Sequence, residues 1–526
     1  MYKLFFNGKI HALDQSGTTY GALLVLEDRI VFCGNMSEIN LAESRLKKID
    51  LHGQHVYPGF IDCHTHIAAV ALKKERVNLD HCQTLDETLH TIGDYAANCQ
   101  ADTWILGGGW NANDWPDGKP AKEHLDRVCP ENPVALYNKD GHTLWLNSRA
   151  LKLCAFHQYV NLSTGEQLGR DEDGQLSGLV YENACAVVEQ VSGKTTYHDL
   201  KRCMKKLAPE LYALGITSVH SCESLETWVQ FQEMDFNHEL PLRVCMHPPV
   251  EKMEQFIQAG LRSAFGNEWL RLGGLKCFVD GSLGSQTAEM FENFQNLSHA
   301  GIEVMTEDRL FDNVRKASYY GLSSVIHAIG DKAVFKTLNV LDKCRKISKK
   351  KRLRHRIEHA QIMREEEIKR FGDLDIIASM QPMHISDDIR IADYYLGHRT
   401  CYTYPIRSLL DSGCRIVFGS DMPVADPDPL KGISAAIGRR YHLDLAETSW
   451  QAQQCITASQ ALSAYTRDAA YASYEETVKG TLLSGYLADL IILNTDLEQA
   501  DEKILQETHV KMTVLGGEIV FQEEDV

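Results

Sequence analysis

The stretch Val56-Tyr57-Pro58-Gly59-Phe60-Ile61-Asp62-Cys63-His64-Thr65-His66-Ile67 is an apolar run that ends in a His-x-His pair. Side chains alternate along a strand, so His64 and His66 point to the same side of the backbone, roughly 7 Å apart, and can grip one cation between them. Neutral imidazole is the commonest ligand a protein offers to a borderline metal such as zinc. Two histidines at a strand end also arise by chance, so the pair gains meaning only from partners. Four later apolar runs end in groups of the same chemical kind: Lys276 in 275–282, His327 in 325–331, His359 in 356–361 and Asp421 in 417–423. A metal held by imidazoles and oxygens lowers the pKa of bound water towards ~7, which makes hydroxide available at neutral pH. Asp421 is then placed to take the proton. An ammonium cannot coordinate, so Lys276 is either carboxylated, an anionic oxygen donor able to bridge two metals, or the buried ion-pair partner of Asp280.

These groups need elements that deliver them to one place. From about residue 205 amphipathic helices alternate with short apolar runs: a helix over 197–214 stops at Gly215, and runs follow at 216–220, 242–247, 272–278, 322–327, 353–359, 375–380 and 415–421. With the run at 60–64 that makes eight strands, and strands alternating with helices argue for a parallel sheet. The expected fold is therefore α/β, a (β/α)8 TIM-like barrel, with chemistry at the carboxyl ends of its strands. Residues 3–58 read instead as short strands with hairpin turns, and the texture returns at 488–493, 510–515 and 516–521. Both ends together predict one small β-domain. The expected boundaries are 1–58 and 478–526 for that domain, 59–75 for the first barrel strand, 76–204 for a large insertion or lid, and 205–477 for the rest of the barrel. Within the insertion, apolar runs at 103–106 and 133–137 flank Gly107-Gly108-Gly109-Trp110 and residues 111–120, which predict a long loop. A loop of that length marks a functional insertion. The charge run 343–352 reads as a solvated helix end.

Over 526 residues, 44% apolar and 24% charged side chains are the balance of a folded protein of enzyme size. A net charge of -18 argues against nucleic acid or an anionic membrane as partner, since both need clustered cations. No secretory leader and no run of ~18 apolar residues is seen, so a soluble chain is expected. Fifteen cysteines, none in a C-x-x-C pair, point to reduced thiols and a cytoplasmic location. The expected partners are a small-molecule substrate and a second copy of the chain in a homodimer.

Pro58-Gly59-Phe60-Ile61-Asp62-Cys63-His64-Thr65-His66, the lysine run, the two single histidines and Gly419-Ser420-Asp421 together resemble the amidohydrolase superfamily of metal-dependent hydrolases. Gly109-Trp110-Asn111, the stretch 140–148, Asp280-Gly281-Ser282-Leu283-Gly284-Ser285, His327-Ala328-Ile329-Gly330-Asp331 and Ile357-Glu358-His359-Ala360-Gln361 are similar, more narrowly, to the amidohydrolase-3 group, which includes N-substituted formamide deformylase-like proteins. The resemblance reaches Gly485-Tyr486-Leu487-Ala488-Asp489-Leu490 and so spans nearly the whole chain. It implies a barrel with a composite β-sandwich domain from both termini, a mono- or dinuclear divalent metal centre, most simply zinc, and hydrolysis of a carbon–nitrogen bond other than a peptide, such as an N-acyl or N-formyl amide. Carried over residue by residue, His64 and His66 bind one metal, His327 and His359 a second, Lys276 bridges them if carboxylated, and Asp421 is general base and a further ligand. Trp110, Asn113, Trp115 and His142 then line the substrate pocket.

His220 and His247, also at strand ends, are either satisfied structural histidines or substrate contacts. Glu358, next to His359, points away from it in a regular strand and is expected to be an ion-pair residue, with Asp331 and Arg356 as similar supports. Two alternatives remain open. The same hydroxide could attack a lactone or phosphoester, or the barrel could be a non-catalytic scaffold, since fold alone does not dictate function; a scaffold would be expected to have lost ligands, and all six groups are present.

Overall fold

Strands from the two chain ends share one sheet. In the computed structural model, which describes residues 1–112, 115, 120–139, 143–156, 168–181, 184–192 and 196–524, the N-terminal part supplies β1 (Tyr2–His11), β2 (Thr19–Leu26), β3 (Arg29–Gly34), β4 (Leu46–Asp50) and β5 (His55–Pro58). After β6 (Phe60–Thr65) come β7 (Val77–Asn78), β8 (Ile105–Trp110), β9 (Val134–Asn138), β10 (Thr143–Leu146), β11 (Leu168–Arg170) and β12 (Leu176–Tyr181). Next are β13 (Ile216–Cys222), β14 (Arg243–His247), β15 (Leu270–Leu272), β16 (Gly274–Phe278), β17 (Ser323–Ala328), β18 (Arg356–His359), β19 (Ile377–Met380) and β20 (Ile416–Phe418). The chain closes with β21 (Leu490–Leu493), β22 (Val510–Leu515) and β23 (Glu518–Gln522).

The terminal sheet runs β23-β22-β21-β5-β1-β2-β3, with β4 also on β1. Alternation places Phe5, Leu23 and Val25 in one apolar cluster and Leu4, Ala22 and Leu24 in another, so both faces are covered. By contrast β6 and β13 are buried at every position, the signature of parallel strands covered on both sides. These parallel strands form two sheets, β15-β14-β13-β6 and β16-β17-β18-β19-β20. Single hydrogen bonds pass between them, from Lys276 N to Pro248 O at 2.8 Å, and from Asp421 N to His64 O at 2.7 Å and His66 N to Met422 O at 3.0 Å. Helices such as Glu307–Tyr320, Asp331–Lys351 and Glu365–Leu374 connect successive strands, and the charge run at 343–352 lies largely at the end of the second of these.

The chain divides into two compact units, residues 1–68 with 207–526, and residues 69–206. The second unit has its own sheet, β11-β12-β10-β9-β8-β7. Here the expectation of a loop beginning at Gly107 is corrected. Gly107 to Trp110 are strand, with Gly107 and Gly108 paired to β9 and β7. A Cβ on Gly107 would lie 2.2 Å from Val77 O, and one on Gly108 2.5 Å from Tyr137 O, so the glycines are there for close approach between strands rather than for a turn. Among the described residues no helix is long and apolar enough to cross a membrane.

Candidate metal centre

His64 lies at the end of β6, His66 just beyond it, and the chain leaving β20 is pressed against both. A Cβ on Gly419 would fall 2.3 Å from His64 N, so only glycine allows this approach. Ser420 is then fastened by Asp62, whose Oδ1 accepts from Ser420 N at 2.9 Å and whose Oδ2 accepts from Ser420 Oγ at 2.5 Å. Asp421 follows in the left-handed region, φ 61°, and His359 (φ 69°) and Ala360 (φ 44°) share that conformation at the end of β18. Non-glycine residues rarely adopt it, and its occurrence at two of the expected ligands places strain where the chemistry is.

The result is convergence. His64, His359 and Asp421 each offer a ligand atom, and these atoms lie within 4.8 Å of one another. Asp421 Oδ1 is 3.4 Å from His64 Nε2 and 3.5 Å from His66 Nε2. Lys276 Nζ is 3.4 Å from His64 Nε2, and the His327 ring centroid is 4.5 Å from that of His359. All six expected groups line one cavity of about 510 Å³.

Each imidazole is held through one nitrogen, which frees the other. His64 Nδ1 meets the Glu358 carboxylate, His66 Nδ1 the Cys222 carbonyl at 3.2 Å, and His359 Nδ1 the Gln381 Oε1 at 2.8 Å. These partners only accept, so the proton sits on Nδ1 and Nε2 keeps its lone pair, the tautomer that an orienting carboxylate or carbonyl imposes on a ligating histidine. His327 is reversed: its Nε2 donates to Gly281 O at 2.9 Å, leaving the lone pair on Nδ1. Burial, reinforced by the Lys276 charge, pulls His64 below its ordinary value and His327 down to about 3; burial, with His327 beside it, takes His359 well below. All three are neutral, the form that binds metal. Burial opposes ionisation of Asp421, but attraction to any proton carried on the neighbouring His64, His66, His359 and His384 rings outweighs it, so the carboxyl is held below the usual carboxylate range and gives up its own proton before those rings give up theirs. Neutral imidazole nitrogens and a carboxylate oxygen converging within one coordination sphere are a donor set that fits a divalent cation.

Glu358 is more than the isolated ion-pair residue expected. Arg356 and Glu358 alternate to the same side of β18 and pair, with Arg356 Nη2 2.9 Å from Glu358 Oε2, while the same carboxylate carries His64. The positive φ at His359 turns its side chain out of the strand's alternation, so that support and ligand sit side by side. The alternative of a Lys276–Asp280 ion pair is not what the structure shows. Asp280 is taken up by the backbone N–H groups of Glu289, Ile329 and Gly330, at 2.7–3.0 Å, and burial pushes its carboxyl up to about 7. Lys276 Nζ instead lies 4.8 Å from the Phe278 ring centroid. His220 and His247 are buried, with Nδ1 accepting from Arg356 at 3.1 Å and from Gly274 N at 3.0 Å, and each Nε2 lacks a hydrogen-bond partner among the described residues.

The expected substrate-lining tryptophans are corrected. Trp110 and Trp115 belong to the apolar core of the second unit, with Trp145, at ring separations of 5.8–6.0 Å. Trp110 Nε1 donates to Leu136 O at 2.7 Å. Indole rings at the end of a strand serve packing here. Asn113 and His142 lie outside the described residues. In their place the cavity is walled by Phe278, Leu283, Gln361, His384 and Asp388. His384, stacked on His359 at 6.2 Å with Nε2 unpartnered among the described residues, was legible by the same strand-end rule, since it follows β19.

Residues 47–521 match the family model Amidohydro_3, described as the amidohydrolase family. Among curated proteins the chain is similar to Protein LONG AFTER FAR-RED 3 of Arabidopsis thaliana, 30% identical over 98% of this chain and 91% of that one. It is also similar to the N-substituted formamide deformylase of Arthrobacter pascens, 24% identical over 99% of this chain and 98% of that one. Among solved structures it resembles an uncharacterized metal-dependent hydrolase from Pyrococcus furiosus, with a TM-score of 0.79 and 26% identity over 95% of this chain and 100% of the other.

Proposed function

The chain belongs to the amidohydrolase family, and from that premise we propose that it hydrolyses a carbon–nitrogen bond other than a peptide, in a small N-acyl or N-formyl amide. The observation that carries the reading is the convergence of His64, His359 and Asp421 within 4.8 Å at strand ends, each imidazole oriented by a second residue. One or two zinc ions held there would polarise the amide carbonyl and acidify a water. In this reading His64, His66, His327 and His359 would hold the ions, and Lys276, if carboxylated, would add an anionic oxygen donor; the 3.4 Å approach of Lys276 Nζ to His64 Nε2 supports its place in the set.

Asp421 accepts the proton of the attacking water and returns it to the departing amine nitrogen, so that the amide yields a carboxylic acid and an amine. Its depressed pKa keeps it unprotonated at neutral pH. Glu358 and Gln381 fix His64 and His359 and so define where that water can sit. The two parallel sheets are read as one (β/α)8 barrel, the terminal sheet as a composite sandwich, and residues 76–204 as an insertion that sets substrate choice. Fifteen free thiols among the described residues suit a cytoplasmic home. The similarity to the formamide deformylase favours formyl amides within the amide class.

The test has two steps. Metal analysis of the wild type and of His64→Asn/His66→Asn should show ions lost from the variant. The metal-loaded wild type is then offered N-formyl and N-acyl amines, lactones and phosphoesters. Turnover of amides in preference to the other two classes is expected; preference for lactones or phosphoesters, or no hydrolysis by metal-replete protein, would overturn the assignment.

A further inference from the structure

A second set of metal-ligating groups lies in the terminal sheet, apart from the cavity. His11 ends β1, His55 begins β5, and Asp496 and Glu498 follow β21. Their contacts form a chain. Glu498 Oε2 is 2.8 Å from His11 Nδ1; a carboxylate only accepts, so Nδ1 carries the hydrogen and His11 Nε2 keeps its lone pair. That Nε2 faces His55 Nδ1 at 3.0 Å, and His55 Nδ1 is 3.8 Å from Asp496 Oδ2. The other Asp496 oxygen, Oδ1, accepts from the Tyr57 hydroxyl at 3.0 Å, and Tyr57 stacks on the His11 ring with centroids 4.4 Å apart.

Each of two potential ligands is thus oriented by a partner that uses its other atom: His11 by Glu498, Asp496 by Tyr57. A carboxylate behind a histidine is the arrangement that fixes tautomer and raises basicity in metal-binding imidazoles. The ligand atoms of His11, His55 and Asp496 lie within 4.8 Å of one another. Ligands around a tetrahedral zinc at ~2.1 Å are spaced by ~3.4 Å, and the separations of 3.0 Å and 3.8 Å bracket that value. The His11 side chain is 5% exposed while that of Asp496 is 30% exposed, so the site is built on a buried residue yet reachable by an ion from solvent.

We propose that His11, His55 and Asp496 form a second divalent-metal site, of zinc type, that ties the N-terminal strands to the segment after β21. The alternative occupant of the 3.0 Å gap is a proton shared by the two rings. Zinc content after loading and removal of excess ion separates the two. His55→Gln can still hydrogen bond to His11 but loses the imidazole ligand, and it should hold one zinc fewer per chain than the wild type, with hydrolytic activity and the ions at His64 unchanged. Zinc should raise the melting temperature of the wild type more than that of the variant. Equal zinc content and an equal thermal response would overturn the proposal. Should His55→Gln fail to fold, Asp496→Asn keeps an oxygen for Tyr57 and removes only the charged ligand; zinc competition with a chromophoric chelator should then show affinity at this site at least tenfold weaker, and unchanged affinity would refute the site.

Discussion

Substituting Glu358 by Gln should damage the protein in two separable ways. The carboxylate is fully buried, and both its oxygens face Arg356 while Oε2 also holds His64 Nδ1. The amide introduced by Glu358→Gln would keep one acceptor and replace the other by an N–H₂ group. Arg356 would retain Cys63 O at 2.5 Å, Ser379 Oγ at 2.7 Å and His220 Nδ1 at 3.1 Å, but lose its counter-charge. Breaking a buried pair from one side costs about 3–5 kcal/mol, because the remaining charge is left uncompensated. Losing the group that orients a ligating imidazole costs about 10–100-fold in metal affinity or activity.

A double variant separates the effects. Arg356→Met/Glu358→Gln removes both charges, and replacing a whole buried pair by apolar or neutral groups is close to neutral for stability. The double variant should therefore recover most of the lost denaturant midpoint while metal affinity, measured by dialysis against buffered zinc, stays low. If affinity recovers together with stability, Glu358 acts on Arg356 alone and its role behind His64 is refuted. Wild-type stability and wild-type zinc content in Glu358→Gln itself would refute both roles.

Three further outcomes are expected. Asp421→Asn should stay folded and largely metal-replete while kcat falls by at least ~100-fold, the scale of a lost general base; near-normal turnover would remove Asp421 from proton transfer. Lys276 in crystals of the zinc-loaded protein should show three extra atoms on Nζ in contact with metal, and a bare amine there would exclude the bridge. His355, buried with Nδ1 accepting from Ser324 N at 3.0 Å and Nε2 2.8 Å from Ser348 Oγ, has its pKa pulled by burial to about 4 from 6.5. The unfolded chain takes up this proton first as pH falls, so the histidine's neutral state supports the fold fully above pH 6.5 and loses ~3 kcal/mol of stability by pH 4. Asp62 and Asp280, pushed by burial up to about 7, bind protons earlier in the folded state and act in the opposite sense. Unfolding free energies of wild type minus His355→Gln, taken between pH 7 and 4, isolate the histidine; a flat difference would contradict its burial as a neutral ring.

The candidate ligands were legible because each sits at the end of an apolar run, where local pattern and position agree. His64, His66, Lys276, His327, His359 and Asp421 all line the cavity for that reason. The glycine-rich stretch misled because glycine has two uses. Its backbone freedom suggests a turn, but at Gly107 and Gly108 what counts is the absence of a Cβ beside Val77 and Tyr137, and those neighbours are brought in only by pairing across the sheet. Trp110 and Trp115 misled similarly, since an aromatic beside glycines reads as a pocket wall until the core that encloses it is known.

The hardest feature to foresee was the part played by β18. Strict alternation assigns Glu358 and His359 to opposite sides, and a sequence carries no sign that His359 will take a φ of 69°. The reason lies in neighbours distant along the chain. Arg356 draws together Cys63 O from β6, His220 from β13 and Ser379 from β19, while holding Glu358 against His64. With Glu358 fixed in that way, a regular strand would send the next side chain away from the cavity. The left-handed residue brings it back to the cavity, where Gln381 captures Nδ1. Backbone strain at His359 is thus the physical consequence of asking adjacent residues of one strand to face the same cavity, one as support for His64 and the other as a candidate ligand.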